Sequence, residues 1–102
     1  MNLFYIVIIH SKNSEIMMTF MEAAAKVKTL KTSPTNDEKL QLYGLYKQST
    51  VGNCNISKPG FYQIAENAKW NAWNGNKGKE TGKSESEYVS LVGKLVEKYG
   101  TN

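Results

Sequence analysis

The chain repeats one local signature, a hydroxyl residue followed three positions later by glutamate. It occurs in the pairs Thr19 and Glu22, Thr35 and Glu38, and Ser84 and Glu87. In such a capping box the hydroxyl accepts a hydrogen bond from a free amide of the first helical turn, and the glutamate accepts from the amide of the hydroxyl residue. Helix-promoting residues follow each pair, so each predicts a helix start.

These starts, together with the stop signals between them, predict four helices. The predicted ranges are about Phe20–Lys31, Asn36–Thr50 with a C-cap at Gly52, Ile64–Asn74 ended by Gly75 and Gly78, and Ser84 to Gly100. Apart from the apolar N-terminal run, no segment shows the alternation of a half-buried strand. The predicted class is therefore all-α, a bundle of four helices.

Composition limits the partners of such a bundle. The 102 residues suffice for one domain, and 40% apolar with 22% charged residues is a globular composition. Thirteen basic residues, all lysine, outnumber nine acids, which gives a net charge of +4 and favours an anionic partner. Reading of nucleic-acid bases depends heavily on arginine, whereas lysine suits point contacts with phosphate.

No constellation for catalysis or metal binding is evident. The single Cys54 cannot form an intramolecular disulfide, which favours a reducing compartment such as the cytoplasm. The lone His10 has no second metal-ligand type nearby, and no P-loop, GxSxG, CxxC or HExxH spacing occurs. We therefore expect a protein that is not an enzyme and needs neither metal nor cofactor.

Residues 1–18 differ from the rest and are interpreted as an N-terminal extension of unknown role, with the domain spanning 19–102. Leu3–Ile9 is apolar and β-branched, too short to span a bilayer. It reads as a short strand or interfacial segment. An added upstream extension is the favoured account and a signal anchor the alternative.

Tyr43, Tyr46 and Lys47 form the first candidate binding cluster. Their i, i+3, i+4 spacing places two phenols and an ammonium on one helical face. A tyrosine ring can stack on a purine, and both hydroxyl and ammonium can donate to phosphate, so the cluster suits a nucleotide. The competing interpretation is an amphipathic helix whose tyrosines fill the core.

A second basic and aromatic group lies in the third predicted helix. The segment AKWNAWN brings Lys69 beside Trp70 and Trp73. Its competing interpretation is a helix that anchors its tryptophans in the core. Lys28, in the first predicted helix, is by spacing alone only a solvated lysine.

The order of these motifs resembles the acyl-CoA-binding protein family. The resemblance rests on Pro34 through Asp37, on YGLYKQSTVG, on Asn55, on Pro59-Gly60, on AKWNAWN and on the closing EKYG, and it spans about 19–100. It implies an up-down-down-up four-helix bundle. It also implies a cytoplasmic carrier that binds long-chain fatty acyl-CoA one to one, buffering it and delivering it for lipid metabolism.

The resemblance also implies roles for single residues. Residues matching Tyr43, Lys47 and Lys69 hold the 3′-phosphate of the coenzyme, and Tyr46 is left as the adenine platform. The residues matching Ala24 and Lys28 border the adenine and the diphosphate. The residue matching Tyr88 closes the site near the middle of the ligand. The acyl groove is lined by residues such as Leu40 and Ile64.

Two positions depart from the family pattern. Ala65 stands where relatives often have a further phosphate-side lysine, and Lys39 stands where many have an apolar residue near the acyl chain. Affinity or chain preference is therefore expected to differ.

The expected partners are fatty acyl-CoA, with transient contacts to membranes and to enzymes that use acyl-CoA, and the expected state is a monomer. No nucleic acid is expected. A nucleic-acid or anionic-membrane binder, based on the +4 charge and the clusters of aromatic residues and lysines, is the alternative from another class. A third reading is an interaction module whose ligand site has degenerated, against which the intact Tyr43, Tyr46, Lys47 and Lys69 argue.

Overall fold

A computed structural model of the chain describes residues 18–102. This range contains four α-helices, α1 (Phe20–Lys26), α2 (Asn36–Thr50), α3 (Ile64–Asn74) and α4 (Thr81–Tyr99), and a 3₁₀ turn, Val27–Thr29, after α1. Its only β-type pairing is an isolated antiparallel bridge between Leu30 and Thr101. The expectations for Leu3–Ile9 and His10 lie outside the described residues.

Two of the three predicted capping boxes are confirmed. At the start of α1 the Glu22 amide donates to Thr19 Oγ1 at 3.1 Å, and the Thr19 amide donates to Glu22 Oε1 at 2.9 Å. Thr35 and Glu38 form the same pair of bonds at the start of α2, with the same two lengths. The predicted ranges of α2 and α3 are also confirmed.

The third predicted capping box is wrong. Helix α4 already begins at Thr81, and the Ser84 amide donates to the Glu80 carbonyl at 2.9 Å, as an amide inside a helix does. The Ser84 side chain is fully buried instead of capping a helix end. A capping box reports only local sequence, and it does not reveal that the preceding Thr81 and Gly82 have entered the helix.

The first helix is shorter than predicted, because the chain changes course after Lys26. The Thr29 hydroxyl donates to the Lys26 carbonyl at 2.7 Å, and Leu30 adopts an extended conformation. Two backbone bonds then pair this segment with the chain end, from the Lys31 amide to the Gly100 carbonyl and from the Asn102 amide to the Thr29 carbonyl, both 2.9 Å. This pairing is incompatible with a helix continuing to Lys31.

The described residues form two compact units, one of residues 18–32 with 89–102 and the other of residues 33–88. The first unit contains α1 and the later part of α4, with Ala23, Val89, Val92, Leu95 and Val96 buried. Val92, Leu95 and Val96 lie at i, i+3 and i+4, so they share one face of α4. Gly100 ends α4 with a positive φ of 74°, a conformation that glycine adopts without strain.

In the unit of residues 33–88, α2 packs against α3 at Gly44. A methyl group at Gly44 would overlap the carbonyl oxygen of Ala72 and lie 2.8 Å from its carbonyl carbon. Glycine thus lets the two helix backbones approach closely. Leu45, Gln48, Trp73 and Tyr88 are buried in the same unit.

None of the helices in residues 18–102 combines the length and the apolar character needed to cross a membrane.

We predict that Gly44→Ala lowers the free energy of unfolding by about 1–3 kcal/mol, because the methyl group meets rigid backbone. Gly82→Ala is the matched control. It also lies in a helix, but nothing lies within 4 Å of its added methyl, so about 0.5–1 kcal/mol of stabilisation is expected. Denaturant unfolding of both variants checks this, and equal effects at the two positions would contradict the close packing at Gly44.

Candidate functional site

The basic and aromatic residues predicted on two separate helices are brought together by the packing of α2 on α3. Lys69 Nζ lies 5.8 Å from the centre of the Tyr43 ring, and Lys47 Nζ lies 4.7 Å from the Trp73 ring. Each pair joins one helix to the other, and the members on each helix are four residues apart. We call Tyr43, Lys47, Lys69 and Trp73 the α2–α3 row.

The order of contacts along the row shows how the two helices run. Tyr43 meets Lys69, Gly44 meets Ala72 and Lys47 meets Trp73, so the contacts advance along both helices together. Helices α2 and α3 therefore run in the same direction, as the middle pair of an up-down-down-up bundle must. A connection of thirteen residues, 51–63, makes this possible.

Both tryptophans fasten that connection to α3. Trp73 Nε1 donates to the Gly52 carbonyl at 2.7 Å, and Trp70 Nε1 donates to the Ile56 carbonyl at 2.8 Å. Trp73 is buried, with 3% of its surface exposed, so the anchoring role considered as the alternative for this segment is confirmed for it. The hydrogen bond to Gly52 also holds the backbone of the connection against the end of the row that is nearest the C-termini of α2 and α3.

Tyr46 and Tyr88 form a ring pair next to the row. Their ring centres are 5.9 Å apart and their planes are tilted by 57°. Tyr46 is 43% exposed, so part of its ring is available to a ligand, whereas Tyr88 is 4% exposed. Burial raises the pKa of the Tyr88 phenol, and the neighbouring Tyr46 raises it further. Tyr88 therefore remains a neutral phenol over the physiological pH range.

The two lysines of the row are held only weakly. Lys69 forms a surface ion pair with Glu66 at 3.6 Å, and both side chains are about half exposed. Such a pair contributes roughly 0–1 kcal/mol, so an anionic ligand can displace the glutamate at little cost. Lys47 is half-buried above Trp73. The row thus offers two ammonium groups and a phenol hydroxyl, which suit a phosphate group.

A polar network that the sequence did not reveal supports the carboxyl end of α2. Gln48 is 1% exposed, and its Nε2 donates to Asn53 Oδ1 and to the Lys79 carbonyl, both at 2.9 Å. Asn53 Oδ1 also accepts from the Gly78 amide at 2.8 Å. The glutamine of the YKQ motif is therefore structural. Sequence spacing gave no signal for it, because its partners lie up to 31 positions away.

Leu40, Ala24 and Lys28 are predicted site residues that are not members of the row. Leu40 lines a cavity of about 550 Å³, whose other lining residues include Gln41, Asn71 and Lys79. Ala24, half-buried, and Lys28, exposed, lie in the unit of residues 18–32 and 89–102. Their predicted contacts with adenine and diphosphate stay predictions.

Within residues 18–102, no three or more histidine, cysteine or carboxylate residues lie together in a group that could hold a metal ion.

Comparison with known proteins decides the family. A family model described as Acyl CoA binding protein matches residues 17–92. The chain belongs to the acyl-CoA-binding protein family. Acyl-CoA-binding protein homolog 1 of Caenorhabditis elegans is 51% identical over 83 residues, which cover 81% of this chain and 96% of that protein. Acyl-CoA-binding protein of Dictyostelium discoideum is 52% identical over 83 residues, covering 81% and 99%.

Solved structures agree with this membership. The crystal structure of Oryza sativa Acyl-CoA-Binding Protein 2 is similar with a TM-score of 0.75 and 38% identity, over 85% of this chain and 90% of that one. The solution structure of the yeast acyl-coenzyme A binding protein gives a TM-score of 0.65 and 45% identity, over 80% and 95%. The predicted all-α fold of the acyl-CoA-binding protein family is confirmed.

We predict that one tyrosine of this acyl-CoA-binding protein family member ionises above the usual pKa of 10.0, and that Tyr88→Phe removes this late step. The pKa of Tyr88 is higher in the folded than in the unfolded chain. The contribution of Tyr88 to the free energy of unfolding is therefore fully present below about pH 10, and it is lost as the pH rises through the pKa of the folded state. Near-ultraviolet absorbance during alkaline titration measures the step. Tyr46→Phe removes the second cause and should move the Tyr88 step to lower pH; an unchanged titration in Tyr88→Phe would refute the assignment.

Proposed function

We propose that this chain is a non-enzymatic, monomeric carrier that binds one long-chain fatty acyl-CoA and delivers it in the cytoplasm. The observation that supports it most is the α2–α3 row, in which the packing of two helices brings together Tyr43, Lys47 and Lys69, side chains of the kind that bind phosphate. Membership of the acyl-CoA-binding protein family adds the nature of the ligand. No step of this function needs a catalytic group or cofactor.

The proposed ligand contacts divide into a polar head and an apolar tail. We assign Tyr43, Lys47 and Lys69 to the 3′-phosphate, and the exposed part of the Tyr46 ring to the adenine. Stacking of a base on an aromatic ring contributes roughly 1–3 kcal/mol. Each buried methylene of the acyl chain adds about 0.8 kcal/mol, so a long chain supplies on the order of 10 kcal/mol. Free fatty acid lacks the head contacts and should bind far more weakly.

The nucleic-acid alternative rests on the +4 charge and on the clusters of aromatic residues and lysines. Binding through counterion release weakens steeply with salt, whereas binding of an acyl chain in an apolar groove depends on salt much less. The absence of arginine from the whole sequence also disfavours it.

We predict that Lys47→Ala and Lys69→Ala each weaken palmitoyl-CoA binding by about ten- to a hundredfold, the loss of one charge-assisted contact. With palmitoyl-dephospho-CoA, which lacks the 3′-phosphate, both changes should have little effect. Tyr46→Ala should weaken the binding of both ligands, because both contain adenine. Calorimetric titration measures the affinities.

Lys83→Ala is the matched control for these titrations, since Lys83 is an exposed lysine of α4 and outside the row. Lys69→Ala should change the free energy of unfolding by less than about 1 kcal/mol, because the ion pair of Lys69 with Glu66 is exposed. If the row variants lose as much affinity for the dephospho ligand as for the full one, the assignment to the 3′-phosphate is wrong.

We further propose that delivery involves contact with anionic membranes through the connection between α2 and α3. Phe61 is 93% exposed, Tyr62 72% and Ile56 55%. The two rings touch edge to face, with centres 5.8 Å apart. Residues 51–65 include one lysine, Lys58, and no acid. Exposed aromatic and aliphatic side chains beside a lysine suit the interface of an anionic bilayer.

We predict that Phe61→Ser lowers binding to phosphatidylserine-containing vesicles by about fivefold or more, because an exposed aromatic anchor is lost. Vesicle sedimentation measures it. Met21→Ser is the matched control, being an apolar residue of α1 with 75% exposure outside this surface. Equal losses in the two variants, or no vesicle binding by the unchanged protein, would contradict the proposed contact, and palmitoyl-CoA affinity should remain unchanged in both.

A further inference from the structure

The α2–α3 row continues one helical turn toward the starts of both helices. Residues four apart share a helical face, so the positions before Tyr43 and Lys69 are Lys39 and Ala65. Because the two helices run in the same direction and Tyr43 meets Lys69, Lys39 lies across from Ala65. Both residues are exposed.

Lys39 is an exposed lysine without an acid on its own face of α2. Leu40 and Ala68 are half-buried, and Ile64 is 80% exposed. No acid stands three or four positions from Lys39 on α2, where Thr35, Asn36, Leu42 and Tyr43 are found. Within residues 18–102 the ion pairs are Lys69 with Glu66 and Lys79 with Glu87, so Lys39 takes part in neither. Its ammonium group is available to a ligand.

The direction of a bound acyl chain follows from the two ends of the row, and this step rests on the proposed function. At the carboxyl end, the hydrogen bond between Trp73 Nε1 and Gly52 closes the row. At the other end, Ile64 presents an exposed apolar side chain at the start of α3. If the coenzyme phosphate is at Lys47 and Lys69, the acyl chain extends toward the helix starts and passes Lys39.

We propose that Lys39 makes this site select acyl-CoA thioesters whose acyl chain ends in a carboxylate over those that end in a methyl group. The methylene stem of the lysine packs along the chain, and the ammonium pairs with the terminal carboxylate. Without that partner, a carboxylate beside Ile64 and Ala65 would lose hydration with little in return.

The experiment compares plain and carboxylate-ended acyl-CoA of matched length by calorimetric titration, over several chain lengths. The measured quantity is the ratio of the two dissociation constants. At the length that reaches the ammonium, Lys39→Met should shift this ratio by about three- to fivefold toward the plain chain, the size expected for an exposed ion pair. Lys39→Glu should shift it further, and added salt should reduce the preference of the unchanged protein.

Lys83→Met is the matched control, as it removes the same charge from an exposed position outside the row and should leave the ratio unchanged. If the ratio is the same in Lys39→Met and in the unchanged protein at every length, this inference is overturned while acyl-CoA binding stands. If neither thioester binds, the proposed function and this inference both fail.

Discussion

The close approach of α2 and α3 at Gly44 and Ala72 is the constraint on which the candidate site depends. With no side chain at Gly44, the carbonyl group of Ala72 sits where a methyl group would otherwise be. The side chains of Tyr43, next to Gly44, and of Trp73, next to Ala72, can then reach the opposite helix. Tyr43 and Trp73 each accept a lysine from the other helix over their rings, and so the row is formed by backbone proximity.

The tryptophan motif shows how structure and binding share one helix face. Both indole N–H groups are used to hold the connection between α2 and α3, through Gly52 and Ile56. This fixed connection allows two helices to run in the same direction, which a tight turn does not permit. Lys69, adjacent to Trp70 in sequence, is then left at the surface for a ligand. Phe61 and Tyr62, in the later part of this connection, are exposed.

The charges are arranged for recognition more than for stability. Lys69 is held by an exposed ion pair with Glu66 and by a cation–π contact with the Tyr43 ring, and both interactions are weak in water. The better-enclosed ion pair of Lys79 with Glu87, at 2.6 Å, lies outside the row and supports the turn before α4. Lysines that are loosely held in the free protein lose little when they turn to a phosphate.

The sequence by itself determined the helices and the family, because capping boxes, apolar spacing and the YKQ and KWNAW motifs are local patterns. It predicted the bounds of α2 and α3 to the residue, and it identified Tyr43, Lys47 and Lys69 as candidate binding residues. It failed at Ser84, whose local signature resembles a cap although its side chain is buried. It also failed from Val27 to Lys31, where the α-helix ends and the backbone of Thr29 and Lys31 pairs with residues 100–102. Only the tertiary structure decided which residues meet: the pairs Tyr43 with Lys69 and Lys47 with Trp73 are 26 positions apart, and helical periodicity describes the faces of one helix but not the register between two.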